Sequence, residues 1–538
     1  MKINKLLLLI SLAVGLAVTA CADMDNVLPE SGTLLESQLQ ETNAIAPQRA
    51  QAAFSGLFSD LGKPAKMYST PDDWGFLMIN FCNDIEGPDA LIPDNNYNWF
   101  GVCGELSSRN ANYRNPAIRY RTPYNLISDA NTFIKSVGET ESQELIYMLA
   151  QARALRAYAY MTLAPAFQFN YQVAGDKPCV PILALDTEDF ANNPRATVKD
   201  VYAAIIEDLD YAINNLSGST RKTKMYVNKD VAHGLRARAY LAMGEWQKAY
   251  DDAQAAAANY TPATREEVSK PHFMDIKEHN WIWGYDMTTD MAMRYRYATT
   301  SSWLRSFSAW GYAPATQCYT CINTLLYDKI PDTDIRKQWW VNENLESTLL
   351  DGLKWPGYDD VAHADDGGDA KLPYLPYTNV KFGCLTIGTT SNDEDTPLMR
   401  VEEMILIQAE CQARLGNEGG ARETLGNFVR TYRDPQYSVA GRGLSLLDEI
   451  WFQRRVELWG EGFSVPDARR LNKPLVRFHD ETNNMPAAFR FNLAADDPWL
   501  LMRFPQAEMN TNFGIVDNTG GQQPTTGEGK SLRDGVTD

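Results

Sequence analysis

Two stretches of the chain repeat one another. "ARAYLAMGEWQKAYDDA", residues 237–253, and "AECQARLGNEGGARETL", residues 409–425, align without a gap. Met243 or Leu415 precedes Gly244 or Gly416 in each, and Ala249 or Ala421 follows. A glycine in a tight turn, with small residues where two helices cross, predicts a tetratricopeptide-type helical hairpin. A continuous solenoid would space such units every ~34 residues, and these two lie much further apart. The hairpins are therefore interrupted by insertions, at about 64–125 and 262–395. Two further segments keep a helical stripe. One runs through Leu145, Leu149, Ala152, Leu155, Ala159 and Leu163, the other through Val201, Ile205, Leu209 and Ile213. Thr197 and Asp200 stand at capping-box spacing before the second. The fold class is mainly α, with tetratricopeptide-like hairpins broken by long, loop-rich insertions.

Composition narrows the function. An apolar content of 44% belongs to a globular protein. A formal net charge of −19 excludes a nucleic-acid partner, whose phosphates need clustered Lys and Arg. Five histidines leave little material for imidazole metal sites. No GxSxG, HExxH, P-loop or GxGxxG motif occurs, so no cofactor is called for and the chain is read as non-catalytic. "DDGGDA", with Asp365, Asp366 and Asp369, offers oxygen ligands but lacks the spaced calcium-loop pattern. Cys318 and Cys321 form one CxxC without a second pair, which leaves a local disulfide or two ordinary thiols.

At the N-terminus, Lys2 and Lys5 precede an apolar run from Leu6 to Val18. That run is shorter than the ~20 residues a spanning helix needs and has the form of a secretory signal. Val18-Thr19-Ala20-Cys21 resembles a bacterial lipobox, in which Cys21 becomes the first mature residue and carries acyl chains. Asp23 and Asp25 follow, similar to the export signal of surface lipoproteins in some Gram-negative bacteria. The chain divides into a signal peptide (1–20), a lipidated N-terminus and tether (21–45), one helical domain (46–520) and a flexible tail (521–538).

"QRRVELWGEGFSVPDARR", residues 453–470, resembles the signature of the SusD/RagB family of outer-membrane nutrient-binding lipoproteins. Arg454, Arg455, Glu457, Leu458, Glu461, Gly462, Asp467 and Arg470 match, while Gln453 and Ser464 stand where the family prefers Glu and Arg. The resemblance implies a cell-surface receptor, anchored in the outer membrane by lipid. It would pass an oligosaccharide to a SusC-like TonB-dependent β-barrel transporter. Peptide is the alternative cargo, and a glycoside hydrolase the alternative activity. Glu457 and Glu461 lie one helical turn apart, but Arg454 is three residues before Glu457. That spacing predicts a structural ion pair in preference to paired catalytic carboxylates.

A glycan needs aromatic platforms for its C–H faces and directional partners for its hydroxyls. In "DNNYNWFG", residues 94–101, Tyr97 and Trp99 alternate with Asn96 and Asn98, and Asp84 lies just upstream. In the second insertion Trp281 and Trp283 share the alternation, followed by Trp310 and Tyr312. These residues are the expected ligand-binding set, with Trp99 as the leading platform.

Overall fold

The computed structural model describes residues 36–538, apart from 63–66, 69, 94–98, 296–298, 308–312, 314–315, 354–373, 388–390 and 481–482. The helices that matter here are α1 (Glu36–Ile45), α2 (Gln51–Ser59), α3 (Gly75–Glu86), α4 (Arg114–Val137), α5 (Gln143–Phe167) and α6 (Val198–Asn215). They continue with α7 (Lys229–Met243), α8 (Trp246–Ala257), α9 (Val401–Arg414), α10 (Glu418–Tyr432), α11 (Leu446–Glu457) and α12 (Ser464–Arg470). Each of α4 to α10 packs on the next, so the repeats that insertions separate in sequence stack in space.

The two related hairpins turn alike. Gly244 and Gly416 both have φ of +81°, the left-handed region where a Cβ would be strained. The next amide reaches back one turn in each, from Glu245 to the Tyr240 carbonyl and from Asn417 to the Gln412 carbonyl, both at 2.9 Å. This is the Schellman ending, which satisfies carbonyls that the helix leaves open. The Thr197–Asp200 capping box forms at the start of α6, and the apolar stripes of α5 and α6 are buried in one continuous core.

Among the described residues, four short strands tie down the insertions. They are β1 (Ala90–Leu91), β2 (Trp281–Tyr285), β3 (Cys321–Ile322) and β4 (Thr396–Arg400). The antiparallel pair β2–β4 joins the two ends of the second insertion, Trp281 opposite Arg400 and Tyr285 opposite Thr396. Closing the insertion at its base is what leaves α8 free to pack on α9. The pair β1–β3 joins the first insertion to the second, with Ala90 opposite Ile322.

Three expectations change. Residues 36–45 of the tether form α1, where Gln40 and Asn43 donate to the carbonyls of Lys135 and Ser136 at the end of α4. The first insertion is less loop-like than expected, because α3 within it is almost wholly buried. The segment 521–538 is not a loose tail. Asp534 pairs with Arg455 at 2.7 Å, and Val536 joins the core. Cys318 and Cys321 are buried and form no disulfide with one another.

Gly416 tests the hairpin. No atom lies within 4 Å of a Cβ built there, so only backbone strain opposes a side chain. Gly416→Ala should lower unfolding stability by about 1–2 kcal/mol, measured by denaturant titration. Gly419→Ala, equally unobstructed but inside α10, should leave stability unchanged or raise it by up to about 0.5 kcal/mol.

Candidate functional site

The charged motif at 453–470 closes α11 and turns into α12. Glu457 is fully buried and accepts two 2.8 Å bonds from Arg433, one of 3.2 Å from Arg400 and one of 3.3 Å from Arg336. Burial alone would push its carboxyl up, but the three guanidiniums hold it well below the usual carboxylate range. Arg400 also spans Glu461 and Glu402, and buried Lys381 donates to Glu461 at 2.7 Å. Arg454 does not pair with Glu457 as its spacing predicts. It turns to Asp467 at 2.9 Å, which Arg470 shares at 2.7 Å. Glu457 is sealed among three guanidiniums, and Glu461 is held by Arg400 and Lys381 where it borders a cleft. The motif is a structural lattice.

Asp84, expected in the ligand set, belongs to this lattice. It is buried and accepts the amides of Gly462 at 2.7 Å and Ser464 at 3.1 Å, fixing the turn into α12. Burial pushes its carboxyl up to about 7, against the two amides, which favour the ionised form. Trp281 and Trp283 are core residues with no exposed ring face. The Trp283 indole donates to the Met225 carbonyl at 2.8 Å and meets Tyr158 edge-on. Both faces of strand β2 are covered, so the alternation that suggested a platform marks a buried strand instead.

Trp99 is different. Its neighbour Phe100 is buried and packs edge-on against Phe81 and Trp303, each at 4.8 Å, where the two insertions meet. Trp99 itself is half-buried at the edge of this junction, with the Arg114 guanidinium 5.1 Å over its ring. Arg114 in turn holds Asp72 at 3.0 Å. Burial raises the Asp72 carboxyl, with Arg114 opposing. Two exposed tyrosines lie nearby in the chain. Tyr113 immediately precedes Arg114, and the Tyr68 amide donates to Asp73, beside Asp72. The set therefore combines an aromatic ring, a cation and a carboxylate. Arg114 and Asp72 join Trp99 only in three dimensions, and nothing in their sequence spacing announces that contact. Tyr97, Asn96, Asn98, Trp310 and Tyr312 lie outside the described residues, as do Asp365, Asp366, Asp369 and Cys21. Among the described residues no His, Cys, Asp and Glu cluster could hold a metal, and no helix is long and apolar enough to cross a membrane.

These features define a helical-repeat protein with an aromatic face built where its insertions meet. Residues 246–520 match the model of the SusD family, and residues 66–241 match a model described as "Starch-binding associating with outer membrane". The chain belongs to the SusD family. A "SusD-like protein" of Bacteroides ovatus is 25% identical over 366 residues, 62% of this chain and 61% of that protein's length. "SusD-like protein P38" of Formosa agariphila is 24% identical over 500 residues, 87% of this chain and 90% of the other. Among solved structures, a "SusD-like carbohydrate binding protein" from Bacteroides vulgatus superposes with a TM-score of 0.68 at 22% identity, covering 87% of this chain and 97% of that one. A "laminarin binding SusD-like protein" superposes at 0.61 and 18% identity, covering 88% and 99%. At these identities the likeness is one of fold.

Glu457→Gln tests the lattice. Removing one charge strands three buried guanidiniums, so the variant should lose about 3–5 kcal/mol of stability, read by denaturant titration. Because the folded carboxyl titrates below its ordinary value of 4.5, the unfolded chain binds more protons as acid is added. The wild type should keep this contribution above about pH 4.5 and lose it as pH falls further, whereas the variant should lack that acid limb. A variant that melts like the wild type would disprove the structural role.

Proposed function

We propose that the protein is a non-catalytic surface lipoprotein that captures an oligosaccharide for uptake. The observation that carries this reading is the Trp99–Arg114–Asp72 set on the insertions of a SusD-family chain. A sugar ring stacks its C–H patch on the Trp99 indole, beside the Arg114 guanidinium that polarises the ring. The part-exposed Arg114 guanidinium offers hydroxyls N–H donors, held in place by the buried Asp72 carboxylate. None of these groups is a nucleophile poised beside a base, which favours binding over hydrolysis. Support for a glycan comes from two similar folds, one called a carbohydrate binding protein and the other laminarin binding. The model described as associating with the outer membrane supports the location. Cys21 is the acylated residue in this reading, and a TonB-dependent, SusC-like barrel is the partner that receives the glycan.

A panel of oligosaccharides and peptides, screened by affinity electrophoresis and then calorimetry, should select a glycan. Trp99→Ala should weaken its binding about tenfold or more, a loss of ~1.4 kcal/mol, with a stability change of about 1 kcal/mol or less. Selection of peptides alone, or unchanged glycan affinity in the stable variant, would refute the reading.

Anchoring has its own test. Cells grown with a palmitate analogue should label the wild type and spare Cys21→Ala, which should leave the membrane fraction. Equal labelling of both would remove Cys21 as the acylated residue.

A further inference from the structure

A cleft of about 160 Å³ opens between α3, α5, α7 and α12 and shares no residue with the Trp99 face. On the scale at which one water needs roughly 10–15 Å³ of such volume, it has room for about ten. Met161, Phe169, Tyr171 and Phe463 give it half-exposed apolar walls. Its lining carries six arginines against the four carboxylates Glu86, Glu403, Glu461 and Asp467, and Arg238, Arg454 and Arg470 are paired with Glu403, Asp467 and Glu410.

The cations outnumber their partners. Glu86 is the carboxylate at this point, and it already takes Arg109 at 2.5 Å and Arg119 at 2.8 Å. Arg109 and Arg469 then converge on a single carbonyl, that of Leu500. Arg469 has no carboxylate within ion-pair distance among the described residues, and its only other neighbour of note is the Phe169 ring at 5.6 Å. Arg477, buried nearby, spends its donors on the backbone carbonyls of Ile85, Glu86, Gly87 and Gly104. Nε of Arg109, Nη1 of Arg454 and Nη1 of Arg469 meet no acceptor among the described residues, and all three side chains line the cleft. A buried, unmatched guanidinium is unfavourable unless something anionic completes it. Burial, and then the nearby charge of Arg109, push Arg469 down to about 9, with Glu86 and Asp497 only partly offsetting them. A second cavity of about 30 Å³, enough for a water or two, borders Arg109 and Arg469 from the other side.

We infer that this cleft binds a small organic oxyanion, a carboxylate or sulfate on a ring of monosaccharide size. Arg469 and Arg109 take the anionic group, and Phe169 and Tyr171 flank the ring. The aromatic walls favour an organic body over a free inorganic ion, and the paired guanidiniums favour planar or tetrahedral oxyanions. The site stands independently of the Trp99 face.

The test titrates the full mature chain with D-glucuronate, inorganic sulfate and D-glucose by calorimetry, and follows melting temperature in sulfate-free buffer. The wild type should bind glucuronate more tightly than sulfate, and glucose not at all. Arg469→Gln should weaken both anions at least tenfold, Arg469→Lys less, and Trp99→Ala not at all. Without ligand, Arg469→Gln should melt no lower than the wild type, since it removes an unmatched charge. A merely structural arginine would lower it. Failure of both anions to bind the wild type, or equal binding by Arg469→Gln, overturns the site. Equal binding of glucose overturns the anionic class, and sulfate without glucuronate overturns the organic body. If Arg469→Gln does not fold, Phe169→Ala decides: glucuronate affinity should fall about tenfold while sulfate affinity holds, and any other pattern overturns the proposal.

Discussion

The carboxylate of Glu457 is the point on which the rest of the molecule is hung. The arginines that surround it arrive from three places: the second insertion, the end of β4 and the turn after α10. Taking these charges out of water costs several kcal/mol per ion, and their mutual attraction recovers that only when every donor is matched. Such a cluster adds little net stability, but it is intolerant of misassembly. A register slip of β4 or a misdocked insertion would strand a charge in the core, so the lattice selects one arrangement of scaffold and loops.

Its neighbours extend the same logic outwards. Arg455 draws Asp89 from the first insertion and Asp534 from the C-terminal segment onto α11. Arg454 and Arg470 hold Asp467, and Arg470 reaches on to Glu410 of α9. One short motif thereby touches both insertions, a repeat helix and the far end of the chain. The aromatic junction of Phe100, Phe81 and Trp303 then fixes the edge on which Trp99 rests.

How much of this is legible in the sequence follows from the range of each interaction. Local signals read well: the stripes of α5 and α6, the Thr197–Asp200 cap and the hairpin glycines all act within a few residues. The structural character of the 453–470 motif is legible, but its wiring is not. Spacing pairs Arg454 with Glu457, yet the partners that win lie 24, 57 and 121 residues away. Asp84 reads as a ligand because nothing nearby announces amides 378 and 380 residues distant. Trp281 and Trp283 mislead for another reason. Period-two alternation tells which side chains share a face of a strand, and says nothing about whether that face is wet. For Trp99, the polar and Gly-bounded surroundings predict an exposed ring, and the residue is half-buried against the core.

The β2–β4 clasp makes the second insertion a closed loop sprouting from an intact stack. Loop length enters closure entropy only logarithmically, and the clasp fixes the ends whatever lies between them. Sequence inside the loop is then constrained chiefly by its own anchors: Arg336 and Lys381 on the lattice, strand β3 on β1 and Trp303 on Phe100. On this plan the stretches of loop between those anchors can change in length and sequence at little cost to the helical stack beneath.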